Sequence, residues 1–134
     1  MASAPAPVPE NPYVRDAAEA CALFAALAEA RVEHCGFAYL DPEWRLLGTR
    51  ETASGHADGV RVPLRDVVRD VLDLDATAVV MVHNHPAGDP TPSAADRAVT
   101  RRLLAALEAL DVRLVDHVVL AGSRRASMRE MGLL

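Results

Sequence analysis

Residues 83 to 96 read H-N-H-P-A-G-D-P-T-P-S-A-A-D, and their types and spacing suit a metal ion. His83 and His85 bring imidazoles, Asp96 a carboxylate and Ser93 a hydroxyl. Zinc takes imidazole nitrogen and carboxylate oxygen at about 2.0–2.2 Å, and catalytic zinc sites keep three protein ligands and one open position. His83, His85 and Asp96 supply those three. Ser93-x-x-Asp96 also fits a capping box, with Asp where Glu is usual, and would suit any helix start. A cap alone leaves both histidines unexplained, and the two uses of the motif are compatible.

These residues need particular elements to bring them together. An apolar run at 76–82 reads as a buried strand delivering His83 to its end. In extended chain, residues two apart share a side, so His83 and His85 converge. The Pro/Gly/Asp loop then turns the chain, and Ser93 opens a helix expected to run to about Leu110. That helix should bury Val99, Leu103, Leu107 and Leu110.

Upstream, residues 1–12 are rich in Pro and Ala and read as a mobile tail, with a single domain over 13–134. A helix is expected from about Val14 to Ala30, burying Ala17, Cys21, Phe24 and Ala28. Strands at 35–40 and 44–49 should pair antiparallel around Asp41-Pro42-Glu43. Residues 50–59 read as a polar loop holding an exposed His56. Pro63 suits the first turn of a helix with a stripe of Leu64, Val67, Val68, Val71 and Leu72. Residues 114–121 read as a core strand, 122–125 as a turn, and 126–134 as a short edge strand. The order α-β-β-α-β-α-β(-β) implies an α/β fold, a mixed β-sheet flanked by helices.

With these residues in view, the chain resembles the JAMM/MPN+ metalloprotease family. The string HNHPAGDPTPSAADRAVT, with Leu114-Val115-Asp116-His117 downstream and Gly132-Leu133-Leu134 at the end, is similar to the bacterial RadC-like branch. The likeness runs from about Val32 to Leu134. It implies the three-layer sandwich of MPN/JAB domains, which is cytidine-deaminase-like. It also implies a catalytic glutamate upstream, and Glu33-His34-Cys35-Gly36 is similar to the E-x-C-G pattern that presents one. Glu43, in a turn, and Glu51, in a polar loop, are weaker candidates.

The roles that follow from the resemblance are these. His83, His85 and Asp96 bind Zn2+, Glu33 activates the water in the open position, and Ser93 hydrogen-bonds the oxyanion. The implied reaction is hydrolysis of a peptide or isopeptide bond in a peptide or protein substrate. Asp116-His117 is open to three readings: a satisfied core histidine, a partner behind the ligands, or an extra ligand. Cys35 stands two residues from Glu33 and reads as a small packed core residue near the site.

At 134 residues and 51% apolar composition, the chain supports one hydrophobic core. No stretch is long enough to span a membrane and no secretory signal opens the chain, so cytoplasmic residence is expected. Cys21 and Cys35 lack CxxC spacing, which argues against a disulfide or a structural zinc site. The net charge of −5 speaks against a dedicated nucleic-acid binder. Residues 97–134 differ locally, with seven arginines against four acids but no interleaved aromatics for bases to stack on. Two other functions stay open: a non-catalytic MPN-like module that docks partners, and an accessory part in DNA repair or recombination. For the latter, many longer RadC-like proteins carry a helix-hairpin-helix ahead of the metal domain, and the residues before Val14 are too few to hold one. Substrate and oligomeric state are not specified by the sequence.

Overall fold

The strand that carries His83 lies at the centre of the sheet. The computed structural model describes residues 4–6, 13–53 and 61–134. Its elements are α1 (Ala17–Leu23), a 3-10 turn (Ala25–Glu29), β1 (His34–Leu40), β2 (Leu46–Ala53), α2 (Leu64–Leu74), β3 (Ala78–Asn84), α3 (Ala94–Glu108), β4 (Arg113–Ala121) and β5 (Arg124–Ser127). The sheet order is β2-β1-β3-β4-β5, with β3 and β4 parallel and the other neighbours antiparallel. Every residue of β3 is buried, which suits a central strand covered on both faces.

Alternation along β1 and β3 sorts side chains into two cores. Cys35, Phe37, Tyr39, Val79 and Met81 pack with Val67 and Val71 of α2 and Leu103 and Leu107 of α3. Ala38, Leu40, Ala78, Val80 and Val82 pack on the opposite face with Ala20, Phe24 and Leu27. The result is three layers, α1 on one side of the sheet and α2 with α3 on the other. This is the α/β architecture expected.

Several boundaries differ from the sequence reading. The first helix is split: α1 ends at Leu23, Phe24 caps it, and a 3-10 turn follows. Phe24 and Leu27, both buried, stand three apart, the spacing that a 3-10 turn places on one side. Val14 lies ahead of α1 and is buried, its N–H donating to the Trp44 carbonyl. Within the N-terminal segment, Ala6 bridges Thr49 and Tyr13 bridges Arg45 along the outer edge of β2. β2 starts at Leu46, not 44, because Asp41 accepts the N–H groups of Glu43 and Arg45 and Trp44 takes a φ of 68°. It runs on through Ala53, so residues 50–53 are strand where a loop was expected. The rest of that expected loop, including His56, lies outside the described residues.

The stripe on α2 is rotated from the expected one. Leu72 is 62% exposed, while Asp70 is buried beside Val67 and Val71. Asp70 accepts from the Tyr39 hydroxyl at 2.6 Å, and Arg50 grips both its oxygens through Nε and Nη2. A buried carboxylate is tolerated where it is paired in this way. That bidentate pair also explains why polar Arg50 belongs to a strand.

On α3 the buried residues are Asp96, Thr100, Leu103 and Leu107, and Leu110 is 37% exposed. The core-facing stripe of this helix therefore turns polar at its N-terminal end. β5 occupies 124–127, an edge strand that begins within the expected turn at 122–125 and ends two residues into the expected strand at 126–134, and residues 128–132 form turns. Among the described residues no helix is long and apolar enough to cross a membrane.

Candidate metal centre

β3 carries His83 on the face it shares with Met81, toward α3, and His83 is fully buried. The chain leaves the strand at His85, whose N–H still bonds the Leu120 carbonyl of β4 at 2.7 Å. That bond keeps both imidazoles on one side. Their Nε2 atoms lie 3.0 Å apart.

Ser93 caps α3: its Oγ accepts the Asp96 N–H at 3.0 Å, and its own N–H donates to Asp96 Oδ2 at 2.7 Å. The capping box and the site are one construction, because the same bonds aim the Asp96 carboxylate. Asp96 Oδ2 is 3.0 Å from His85 Nε2, and Oδ1 is 3.3 Å from His83 Nε2. Burial alone would raise the Asp96 pKa, yet the carboxyl is held well below the usual carboxylate range, with the Ser93 N–H donating to it. Its place in the first turn of a helix favours the same charged state.

Glu33 stands just ahead of β1, with its Oε1 3.9 Å from His85 Nε2. Glu33, His83 and His85 each offer a ligand atom within 4.8 Å of the others. Asp96 lies nearer both imidazoles than that. Atoms held at about 2.0–2.1 Å by a tetrahedral ion lie about 3.3 Å from one another. The His83–His85–Asp96 spacings match that figure, and Glu33 stands a step further out. His85 and Glu33 keep 14% and 20% side-chain exposure, against none for His83, so the site opens to solvent on their side.

The donor chemistry fits a cation. His85 Nδ1 is 2.8 Å from the Asp89 carbonyl, which only accepts, so the hydrogen sits on Nδ1 and Nε2 presents a lone pair. That lone pair faces another ring nitrogen and an ionised carboxylate. A divalent metal shared by His83, His85 and Asp96 satisfies all of them, with Glu33 beside the open position.

Of the residues singled out in the sequence, His83, His85, Asp96 and Glu33 thus meet, while Glu43 and Glu51 do not join them. Ser93 is exposed and its Oγ lone pair serves the Asp96 N–H. Glu43 and Glu51 are both exposed, in the turn and on β2. Cys35 pairs in register with His83, and burial, then the charges of Glu33 and Asp96, push its thiol up to about 12. It is a neutral core thiol. His117 is fully buried, and burial, then His83, hold its pKa well below the ordinary histidine value. Its Nε2 lies 2.5 Å from His83 Nδ1, so it is a partner behind a ligand, more than a satisfied core histidine.

Asn84 was not given a role by sequence reasoning. Alternation turns it to the face opposite its histidine neighbours, where it is buried. Its Oδ1 accepts the His34 N–H at 2.6 Å, and its Nδ2 donates to the Ala30 and Val32 carbonyls. All three partners flank Glu33. A fully buried amide between two candidate ligands was the available signal, since it must find partners.

Comparison with known proteins bears on the family of the chain. A family model described as RadC-like JAB domain matches residues 14–133. The chain is 47% identical over 109 residues to a UPF0758 protein of Bordetella avium, covering 81% of this chain and 48% of that protein. A UPF0758 protein of Bordetella petrii is 44% identical over 109 residues, covering 81% and 48%. One from Xanthomonas oryzae pv. oryzae is 47% identical over 96 residues, covering 72% and 43%. The chain spans about half the length of the curated relatives it matches.

Proposed function

The chain belongs to the RadC-like JAB domain family, and from that premise we propose that it is a zinc-dependent hydrolase of a peptide or isopeptide bond. The observation that carries this reading is the convergence of His83, His85 and Asp96 at 3.0–3.3 Å with Glu33 on the open side. Zinc bound there would polarise the substrate carbonyl and make water a nucleophile near neutral pH.

The chain's own residues do the rest. Glu33 takes a proton from the attacking water and returns it to the leaving amine. Ser93, whose bond to Asp96 uses a lone pair of Oγ, keeps its hydroxyl hydrogen for the oxyanion. Asp96, fixed by the helix cap, stays ionised. The buried wall of His83 and Cys35 keeps water from the inner side.

Elemental analysis of the purified chain should find about one zinc per molecule. Glu33→Gln should keep that zinc and lose about 10²–10⁴-fold of the cleavage of a proteome-derived peptide library. His83→Ala should lose the metal. A chain without stoichiometric divalent metal, or Glu33→Gln cleaving like the unaltered protein, overturns the proposal. Zinc without turnover points to the docking module instead.

A part in DNA transactions has one observation in its favour. Arg97, Arg101, Arg102, Arg113, Arg124, Arg125 and Arg129 are all exposed. A salt-dependent mobility shift of duplex or single-stranded DNA tests it.

A further inference from the structure

The structure assigns Thr100 a positioning role: through His117, its hydroxyl fixes which nitrogen of His83 is turned bare toward the metal centre. This assignment rests on the zinc reading above but gives a role to Thr100 and His117, which are outside the proposed ligand set.

A neutral imidazole carries one hydrogen, on either Nδ1 or Nε2, and its neighbours choose. His83 has His117 Nε2 against its Nδ1 at 2.5 Å. Two imidazole nitrogens facing each other leave the choice unsettled, since either can donate. The other end of His117 resolves it. His117 Nδ1 lies 2.6 Å from Thr100 Oγ1, and Thr100 Oγ1 lies 2.7 Å from the Asp96 carbonyl oxygen one turn back in α3. A carbonyl only accepts, so the single hydroxyl hydrogen goes there. Met128 Sδ, at 3.4 Å from the same hydroxyl, is a longer contact to a weaker acceptor.

The rest follows in order. With its hydrogen committed to Asp96, Thr100 Oγ1 accepts from His117 Nδ1–H. Neutral His117 then has a bare Nε2, which accepts from His83 Nδ1–H. His83 Nε2 is left with its lone pair facing His85 and Asp96. The reversed chain would put a hydrogen on His83 Nε2, inside the ligand cluster, where it would block a metal bond. Thr100, His117 and His83 are all buried, so bulk water does not stand in for a missing partner. The chain begins and ends on Asp96: its carbonyl orients Thr100, and its carboxylate shares the ion with His83.

An intrahelical hydroxyl-to-carbonyl bond is common for Thr and alone would mean nothing. Its consequence here comes from the His117 nitrogen on the other side of the hydroxyl. Val in this place would keep the volume and remove the acceptor, leaving His117 and His83 free to populate both tautomers.

The test uses the full chain, with zinc as the probe. Chelator competition should show Thr100→Val binding zinc about 10–100-fold more weakly, the range for residues that orient a ligand from behind. Thr100→Ser, which keeps the hydroxyl, should restore tight binding. Long-range proton–nitrogen spectra of the metal-free protein should show the His83 hydrogen on Nδ1 in the unaltered chain and divided between both nitrogens in Thr100→Val. Unchanged zinc affinity in a folded Thr100→Val, or a hydrogen on His83 Nε2 in the unaltered chain, overturns the assignment. The second readout needs no variant, so a Thr100→Val that fails to fold does not shield the idea. Absence of zinc binding by the unaltered chain would overturn the zinc reading, while the same spectra would still decide the tautomer.

Discussion

Asn84 and His34 are joined by an N–H···O bond of 2.6 Å that spans β3 and the start of β1. The bond, with those from Asn84 Nδ2 to Ala30 and Val32, clasps the segment that presents Glu33. One short motif therefore serves both faces of the sheet. His83 and His85 face the candidate metal centre on one, and the residue between them clasps the segment of the candidate base from the other.

Asn84→Ala should leave zinc content unchanged, because the amide points away from the ligands. It removes three part-buried hydrogen bonds, a loss of about 0.5–1.5 kcal/mol for each. Glu33 loses its tether, so peptide turnover should fall by more than about tenfold, with the loss in kcat rather than KM. Equal turnover in a folded, zinc-loaded variant would show that the loop holds Glu33 without Asn84.

Asp70→Ala should destabilise the chain by about 3–5 kcal/mol, the usual consequence of removing one partner from a buried ion pair. It takes from Arg50 its bidentate acceptor and from Tyr39 the acceptor at 2.6 Å. The damage is confined to the junction of α2 with β1 and β2, far along the sheet from the cap of α3. Zinc affinity of the folded fraction should therefore match that of the unaltered chain, while the urea midpoint drops.

The convergence of the candidate ligands and the layer order were legible because they obey local rules: two-residue alternation on a strand, and a cap pattern at a helix start. Asp70 was not, because a carboxylate at a core position looks like a break in an apolar stripe until its Arg50 partner, 20 residues away, comes into view. The same pair hid the second half of β2. Thr100 and His117 were obscured for a related reason. Each is ordinary in its own element, and their role exists only where α3 crosses β4. Phe24 caps α1 with its ring against Gly36 of β1, a contact between elements that helical periodicity does not reveal.

Gly36 is the glycine of the E-x-C-G pattern, and its place is set by Phe24. A Cβ at this position would lie 2.6 Å from Cδ1 and Cε1 of that ring. Phe24 is buried and cannot swing clear. Gly36→Ala should cost about 1–3 kcal/mol, the range for overpacking a filled core. Combined with Phe24→Leu, it should recover part of that loss, because the smaller side chain makes room. Additive losses in the double variant would mean that Gly36 is needed for some reason other than this contact.

Cys35 supplies a pH test of how tightly the wall behind His83 is closed. Its folded pKa of about 12 stands above the value near 8.5 expected for an unfolded thiol. The unfolded chain therefore loses this proton first as pH rises. The contribution of Cys35 is fully present below about pH 8.5 and declines from there toward pH 12, by at most about 1.4 kcal/mol per pH unit. Denaturant midpoints of the metal-free protein should fall between pH 8.5 and 10 more steeply than those of Cys35→Ala, which lacks the group. The same shift predicts slow chemistry. With its pKa raised so far, Cys35 is almost wholly protonated at pH 8, so iodoacetamide should modify the less buried Cys21 first. Labelling of Cys35 should wait for denaturant. Rapid native labelling at Cys35 would mean that solvent reaches the inner side of the metal centre, and the closed wall behind His83 would have to be given up.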